Sequence, residues 1–389
     1  MVRWRLRLNL TAAVALSLAA LFFVTPCIAQ STGNVQLWAE EEIRFESDGN
    51  SLYGILCTPS TDGPHPAIVL ITGAINSTSS EVDGANASLQ VTHARRLAIQ
   101  GVATLRFDPA GVGQSEGNEA FRDLQSRKAE ALAAVRFVRS HPSVRADRVG
   151  LWGVSQGGWV IAMAAAEAPE QIGFLIMVSG TTLTVAEQQV YGVEMQARAA
   201  QLSESDVAKA VVVMQLLIDW QITCPMFQEA SEQAIQTLGS GPWQDLQTIV
   251  YAPGSLSAAE ELALVIDLLE TIQDEIWAQS LYLREIYLPS LRSIPPEQAG
   301  SVGAASEASL LASPREYFTR IACPMLALFG ENDVHLPAHR SAEQLDEYLA
   351  EGGNADLTVV IFEETGHSMN NFMPAYWDQL YTWLDNLYE

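Results

Sequence analysis

The chain has 389 residues, and 48% of them are hydrophobic, which is enough to form a sizeable core. Its formal net charge is −25, and Lys128 and Lys209 are its only lysines, so the surface repels nucleic acid and anionic lipid. This composition favours a soluble globular enzyme and excludes a nucleic-acid-binding protein.

The N-terminus, residues 1–29, is typical of a cleaved secretory signal peptide. Three arginines precede an apolar stretch over residues 8–24, and small side chains then stand at the spacing of a signal-peptidase site after Ala29. An uncleaved membrane anchor is the alternative, because the apolar stretch approaches the length of a spanning helix. We expect cleavage after Ala29, a secreted or periplasmic protein, and no stable membrane insertion of the mature chain.

Residues 30–180 alternate predicted strands and helices, which is the pattern of a parallel α/β sheet. Two opening strands are predicted on either side of a turn at Asp48-Gly49-Asn50, over residues 42–46 and 52–58. Further apolar runs predict strands over 67–72, 102–107, 147–152 and 173–179, and helices over 88–100, 119–140 and 157–167.

Residues 181–312 interrupt this alternation with a mainly helical pattern. The alternation resumes in residues 313–389, with predicted strands over 325–329 and 357–362 and helices over 338–351 and 374–387. The predicted fold class is therefore α/β: a mostly parallel central sheet flanked by helices, built from two stretches of chain with a helical insertion between them.

The most informative motif follows the strand over residues 147–152. Gly153-Val154-Ser155-Gln156-Gly157 has the pattern Gly-x-Ser-x-Gly and joins a short apolar strand to a small, apolar helix. A serine on such a sharp turn projects its hydroxyl above the sheet, and the first helix amides point to the same space. This context predicts that Ser155 is a catalytic nucleophile.

A catalytic serine needs a base, and the base needs an orienting acid. In enzymes with this serine motif, the acid and then the histidine follow the serine along the chain. Only His335, His339 and His367 stand far enough after Ser155 to be candidate bases. We predict His367, because it lies in the loop that leaves the strand over 357–362, at the edge of the sheet where catalytic groups collect. His335 and His339 are predicted to be surface or helix-cap residues.

For the acid we predict Asp333, which lies in the loop after the strand over 325–329, with Glu331 as the alternative. Glu363 and Glu364 are predicted to be solvated loop charges. The chain shows neither His or Cys pairs with metal-ligand spacing nor a phosphate-binding lysine loop, so we expect no metal and no cofactor.

With these motifs the chain resembles the serine α/β-hydrolases of the bacterial secreted esterase and acyl-hydrolase type. Beside the serine motif, the matching pieces are residues 67–74, 105–117, 330–333 and 366–367. The resemblance implies a Ser155–His367–Asp333 triad and an oxyanion hole formed by the backbone amides of Gln156 and Ala74. It also implies that the insertion over residues 181–312 is a lid.

Two departures from the family pattern concern the loops around the oxyanion hole. Thr72 stands where the family usually has histidine, and Ala110 stands where the Asp-x-Arg-Gly turn usually has its arginine. Neither change removes a catalytic atom, but both bear on the shape of the oxyanion loop and on the acyl group that it accommodates.

We predict a hydrolase of a small-molecule carboxylic ester that acts through an acyl-enzyme intermediate. A serine peptidase or amidase and an acyl thioesterase of the same fold are the alternatives. Glu260-Glu261 could mimic the glutamate pair of peptidases that bind a free N-terminus, but their helical pattern favours solvated side chains. The intact serine, histidine and aspartate disfavour a non-enzymatic binding protein.

Overall fold

The computed structural model describes residues 36–73, 80–81, 84–118, 123–222, 244–245, 256–300, 310–369 and 373–388. The predicted signal peptide lies outside these residues, and so does Ala74. Residues Leu37–Glu389 form one compact unit. Within the described ranges, every helix is too short or too polar to cross a membrane.

The described chain contains an eight-stranded sheet. Its strands are β1 (Trp38–Ser47), β2 (Asn50–Pro59), β3 (His65–Ile71), β4 (Ala103–Phe107), β5 (Val144–Val154), β6 (Phe174–Val178), β7 (Met325–Gly330) and β8 (Leu357–Phe362). They lie in the order β1-β2-β4-β3-β5-β6-β7-β8. β2 pairs antiparallel with β1 and with β4, whereas all other neighbours are parallel.

Helices cover both faces of this sheet. The α-helices of the described ranges, including those inserted between β6 and β7, are in chain order α1 (Ser88–Ile99), α2 (Leu124–Ser140), α3 (Gly157–Glu167), α4 (Val185–Ala199), α5 (Glu204–Ile222), α6 (Ala258–Ile272), α7 (Leu288–Arg292), α8 (Pro314–Phe318), α9 (Ala338–Glu351) and α10 (Pro374–Tyr388). The predicted α/β-hydrolase architecture, a mostly parallel sheet flanked by helices, is confirmed.

The central strands are buried on both faces, so nearly all of their residues are apolar and the sequence predicts them as continuous apolar runs. Successive side chains point to opposite faces, so Val69 and Leu151 pack beneath α2 and α3, whereas Ile68 and Trp152 pack beneath α1 and α10. Burying such a side chain stabilises the fold by about 1.5–3 kcal/mol. This double-sided core holds the carboxyl ends of β3 and β5 to β8 in fixed positions.

Two strands begin three or more residues before their predicted starts, each for a physical reason. β1 begins at Trp38, but residues 39–42 are all exposed and the alternation of buried and exposed side chains starts only at Ile43, so no apolar period marked the part that pairs with the end of β2. β5 begins at Val144, which pairs with His65 across an irregularity in the β3 register. Both extensions depend on pairing with another strand, β1 with its hairpin neighbour β2 and β5 with β3, which is distant in sequence.

Between β6 and β7 the described chain is helical, and we call its elements α4 to α7 and the turns among them the inserted helices. Thr184 and Glu187 form a reciprocal capping box that begins α4. A 3-10 turn (Ile276–Leu281) and a π turn (Leu283–Tyr287) meet at Tyr282, whose φ of 51° is left-handed. The inserted helices fall inside the predicted lid, whose boundaries stay a prediction.

Candidate active site

Ser155 occupies a strained turn between β5 and α3. Its φ of 53° is left-handed, which costs a non-glycine residue on the order of 1–3 kcal/mol. The two motif glycines make the turn possible, because a Cβ at Gly153 would lie 2.5 Å from the carbonyl oxygen of Gly157. The Ser155 amide donates to the Val178 carbonyl oxygen at 2.9 Å, which fixes the turn to β6.

The structure brings Ser155, His367 and Asp333 together in one hydrogen-bonded line. His367 Nε2 lies 3.0 Å from Ser155 Oγ, and His367 Nδ1 lies 2.7 Å from Asp333 Oδ2. With the proton on Nδ1, the imidazole donates to the carboxylate and accepts from the serine hydroxyl. This is the geometry that a nucleophile, its base and the acid that orients the base require.

Asp333 and His367 are themselves held by backbone groups. Asp333 is 3% exposed, and its second oxygen, Oδ1, accepts from the amides of His335 at 2.8 Å and Leu336 at 3.3 Å. The hydroxyl of the buried Ser179 donates to the His367 carbonyl oxygen at 2.8 Å. These bonds fix the carboxylate and the imidazole loop against the ends of β6 and β7.

The alternative acid, Glu331, lies elsewhere. Its side chain is 43% exposed and faces His339, with 4.0 Å between Oε1 and Nε2. Since Asp333 points inward and Glu331 outward, only Asp333 contacts His367. Glu363 and Glu364 are exposed, as predicted.

His335 differs from its prediction as a surface or cap residue. It is half-buried, and its ring centroid lies 4.7 Å from that of His367. Burial lowers the pKa of His335, and the neighbouring His367 lowers it further, so its neutral form is favoured. The sequence did offer one sign that His335 lies at the site, namely its position two residues after the predicted acid Asp333. In the structure the His335 amide donates to the Asp333 carboxylate, which keeps the two residues together. His339, in contrast, is exposed at the start of α9, as predicted.

A cavity of about 720 Å³ opens beside Ser155 and His367. The inserted helices supply one wall, with three glutamines on α4 and apolar or aromatic side chains around them. Among the described residues that line it there is no Asp, Glu, Lys or Arg. The lining side chains used below are Gln188, Gln189, Gln196, Val193, Met214 and Tyr287.

Of the two predicted oxyanion donors, the structure describes Gln156 but not Ala74. Gln156 is the residue from which α3 begins, so its amide lies at the helix N-terminus next to Ser155. Gly73, the residue before Ala74, packs against the nucleophile, since a Cβ there would lie 3.2 Å from Ser155 Cβ. Across the described ranges, no cluster of three His, Cys, Asp or Glu side chains is placed to hold a metal ion.

A parallel sheet with a serine on the turn after its central strand defines this protein as an α/β hydrolase. The chain belongs to the family described as X-Pro dipeptidyl-peptidase (S15 family), whose model matches residues 48–252, more than half of the chain.

The chain is also similar to individual proteins. It is 30% identical over 126 residues to the quorum-quenching protein AidA of Acinetobacter baumannii, covering 32% of this chain and 39% of that protein. It is 30% identical over 135 residues to the mitochondrial palmitoyl-protein thioesterase ABHD10 of Rattus norvegicus, covering 34% of this chain and 41% of that protein. The chain thus spans about two fifths of the length of these curated relatives.

Among solved structures, the α/β hydrolase GrgF from Penicillium sp. sh18 superposes with a TM-score of 0.52. The match covers 90% of this chain and 98% of that one at 18% sequence identity. This likeness establishes the shared fold. The described architecture and the family match both place the chain among proteins of the α/β-hydrolase fold.

Proposed function

We propose that the protein is a serine hydrolase that cleaves a carboxylic ester through an acyl-enzyme intermediate. Ser155 is the nucleophile, His367 the general base and then the general acid, and Asp333 the orienting acid. The observation that carries the proposal is the line of hydrogen bonds from Asp333 through His367 to Ser155, at 2.7 and 3.0 Å.

In the proposed mechanism, His367 Nε2 takes the Ser155 proton while Oγ attacks the acyl carbonyl carbon. Asp333 stabilises the imidazolium that forms, and its two backbone donors keep it in place during the step. His367 then protonates the leaving alcohol. Water, activated by the same imidazole, attacks the acyl-enzyme and releases the acid.

The amides of Gln156 and Ala74 are the proposed oxyanion donors. Loss of one such donor in a comparable enzyme lowers kcat about 10²- to 10³-fold, so the pair would supply a large part of the rate enhancement. The place of Gln156 at the start of α3 supports this role for its amide.

The described lining of the cavity, which has no Asp, Glu, Lys or Arg, supports an ester of an uncharged acyl group over a peptide with a free N-terminus. A buried ammonium group is costly without a counter-charge, and the described lining offers none. Glu260 does not supply one, because it is not among the residues that line the cavity and instead caps the start of α6 by accepting from the amide and hydroxyl of Ser257. The family's peptidase description is therefore the less favoured activity for this cavity.

An acyl thioesterase is the second candidate. The same cavity suits an acyl chain whichever atom leaves, and the similarity to a palmitoyl-protein thioesterase over 34% of this chain supports it. We further propose that residues 181–312 act as the lid and that residues 1–29 direct secretion.

The proposal is tested with p-nitrophenyl esters from acetate to palmitate, acyl-CoA thioesters and aminoacyl-prolyl anilides, using the mature protein and Ser155→Ala. We expect Ser155-dependent ester hydrolysis, negligible anilide hydrolysis and labelling of Ser155 by a fluorophosphonate. Efficient anilide cleavage would transfer the assignment to a dipeptidyl-peptidase. Ester turnover that persists in Ser155→Ala would overturn the proposed nucleophile.

A further inference from the structure

Arg127, in the first turn of α2, is a buried arginine directed at the candidate site. The residue is 5% exposed, and burial of a guanidinium is costly unless its donors are used. Arg127 Nη2 donates to the Thr72 carbonyl oxygen at 2.6 Å, and Nη1 donates to the side-chain oxygen of Gln156. One planar group therefore contacts two separate loops.

Those two loops are the ones that carry the proposed oxyanion donors. Gln156 is itself one donor residue, and Thr72 stands two residues before Ala74, the other. The loops also lie close together, because a Cβ at Gly157 would be 2.7 Å from the Thr72 carbonyl oxygen. With so little space between the backbones, a shift of either loop would move the Gln156 amide relative to Gly73, which packs against Ser155.

We propose that Arg127 is a positioning residue that holds the turn carrying the Gln156 amide, the described oxyanion donor, against the loop after β3. The inference rests on the proposed function, since it concerns the transition state of the same reaction. Oxyanion stabilisation depends on donors that are fixed before the charge develops. The guanidinium suits this task because its donors form a rigid fork, whereas a lysine ammonium is a point charge on a flexible stem.

The next turn of α2 fixes a third loop in the same way. Glu130, one turn after Arg127, is buried and accepts from the Ala110 amide at 3.0 Å. Ala110 is the position at which the resembling family usually has an arginine. In this chain the first two turns of α2 thus hold the loops after β3 and β4 and the turn that begins α3.

The experiment compares Arg127→Met and Arg127→Lys with Arg136→Gln, an exposed arginine on the same helix. For the best ester we measure kcat, KM and the inhibition constant of a boronic acid that mimics the tetrahedral intermediate. We expect Arg127→Met to lower kcat about ten- to hundredfold, less than outright loss of a donor, with KM within about twofold. Boronate affinity should fall in parallel, and Arg136→Gln should match the wild type.

Arg127→Lys keeps the charge but reaches only one of the two acceptors, so it should recover no more than a small part of kcat. Guanidinium ion added to Arg127→Ala should restore activity in a saturable way, which a general folding defect would not produce. If the Arg127 variants fail to fold, Gln156→Met removes the acceptor side chain and keeps the backbone amide. Its kcat should then fall about five- to twentyfold at constant KM.

The inference and the proposed function fail in different ways. If Ser155→Ala retains turnover, the proposed function is wrong. If turnover depends on Ser155 but Arg127→Met and Gln156→Met keep wild-type kcat and boronate affinity, only the positioning role of Arg127 is overturned. A loss confined to KM or to thermal stability would also overturn it.

Discussion

The candidate catalytic groups and the inserted helices are held in different ways. Ser155, His367 and Asp333 are fixed by hydrogen bonds that involve the main chain. The Ser155 amide donates to the Val178 carbonyl oxygen, for example, and the His335 amide donates to the Asp333 carboxylate. The inserted helices also contact the loop after β7 through side chains. Gln188 on α4, for example, donates through Nε2 to the His335 carbonyl oxygen at 2.7 Å.

Because of this difference, we expect the strand-end groups to determine the reaction and the inserted helices to determine which acyl group is accepted. A site on strand ends keeps its geometry as long as the sheet is intact, because each group lies in a turn or loop that follows a strand of the sheet. A cavity wall of glutamine, methionine and tyrosine side chains can change shape by substitution without moving the nucleophile. We therefore expect variants of the two regions to have separable effects, large on kcat in the first and selective for the acyl group in the second.

The largest effect should come from Ser155→Ala and His367→Ala. Each removes a group that acts in the chemical step, so kcat should fall about 10⁴- to 10⁶-fold with the melting temperature nearly unchanged. The matched control is His339→Ala, an exposed histidine near the same site. Steady-state ester hydrolysis is the measurement, and a loss below tenfold in either variant would break the assignment of the triad.

Asp333→Asn should come next, with a loss of about 10⁴-fold in kcat. The amide cannot hold the tautomer in which His367 Nδ1 donates, and it cannot stabilise the imidazolium. Glu331→Gln is the control and should be close to wild type, since Glu331 faces His339. A small loss in Asp333→Asn with a large one in Glu331→Gln would restore Glu331 as the acid.

The core beneath the strand-end groups should become less stable in acid because of His93. This histidine is buried between Leu89 and Tyr376, and burial lowers its pKa from 6.5 to about 4. The unfolded chain therefore takes up the proton first, so the free energy of unfolding should fall by up to about 3 kcal/mol between pH 6.5 and 4.

Urea unfolding at a series of pH values checks this expectation. His93→Gln should be less stable at pH 7, because it loses the bonds of the imidazole, but its free energy of unfolding should depend less on pH over that range. His339→Gln is the exposed control and should keep the wild-type pH dependence. Identical pH dependence in wild type and His93→Gln would exclude His93 as the source.

The smallest effect on catalysis is expected from the inserted helices. Val193 is buried on α4 and lines the cavity, so Val193→Phe should reduce its volume. Hydrolysis of long acyl esters should fall about tenfold or more, whereas the acetate ester should stay within about threefold. The ratio of kcat/KM for the two esters is the measurement. Equal losses on both would show that the two regions are not separable.

Part of the site was predictable because short stretches of sequence specify the turn that carries Ser155 and the strands that precede Asp333 and His367. Gly153 and Gly157 around Ser155 specify a sharp turn, and the apolar runs before Asp333 and His367 mark two strands of the parallel sheet. Strand ends gather at one edge of a sheet whatever the loop lengths, so three distant segments could be assigned to one place from their patterns alone.

Other features had no local signature. Asp333 and Glu331 are both acidic residues in the loop after β7, so the sequence left Glu331 as an alternative to the predicted Asp333. The direction of each side chain identifies Asp333 as the one that contacts His367. His335 and His339 differ in the same way, since one faces His367 and the other faces solvent. Arg127 is one arginine of an amphipathic helix, and its contacts at Thr72 and Gln156 arise from the packing of α2 against the sheet.

The sequence by itself determined the α/β class, the order of the strands along the chain and the turn that carries Ser155. Periodic burial and turn geometry are encoded over a few residues, so they can be recognised without knowing their neighbours. The tertiary structure decided the acid that contacts His367, the cavity whose described lining has no Asp, Glu, Lys or Arg, and the buried guanidinium between two loops. Those features depend on which side chains meet across the fold, at separations of tens to hundreds of residues that no local pattern encodes.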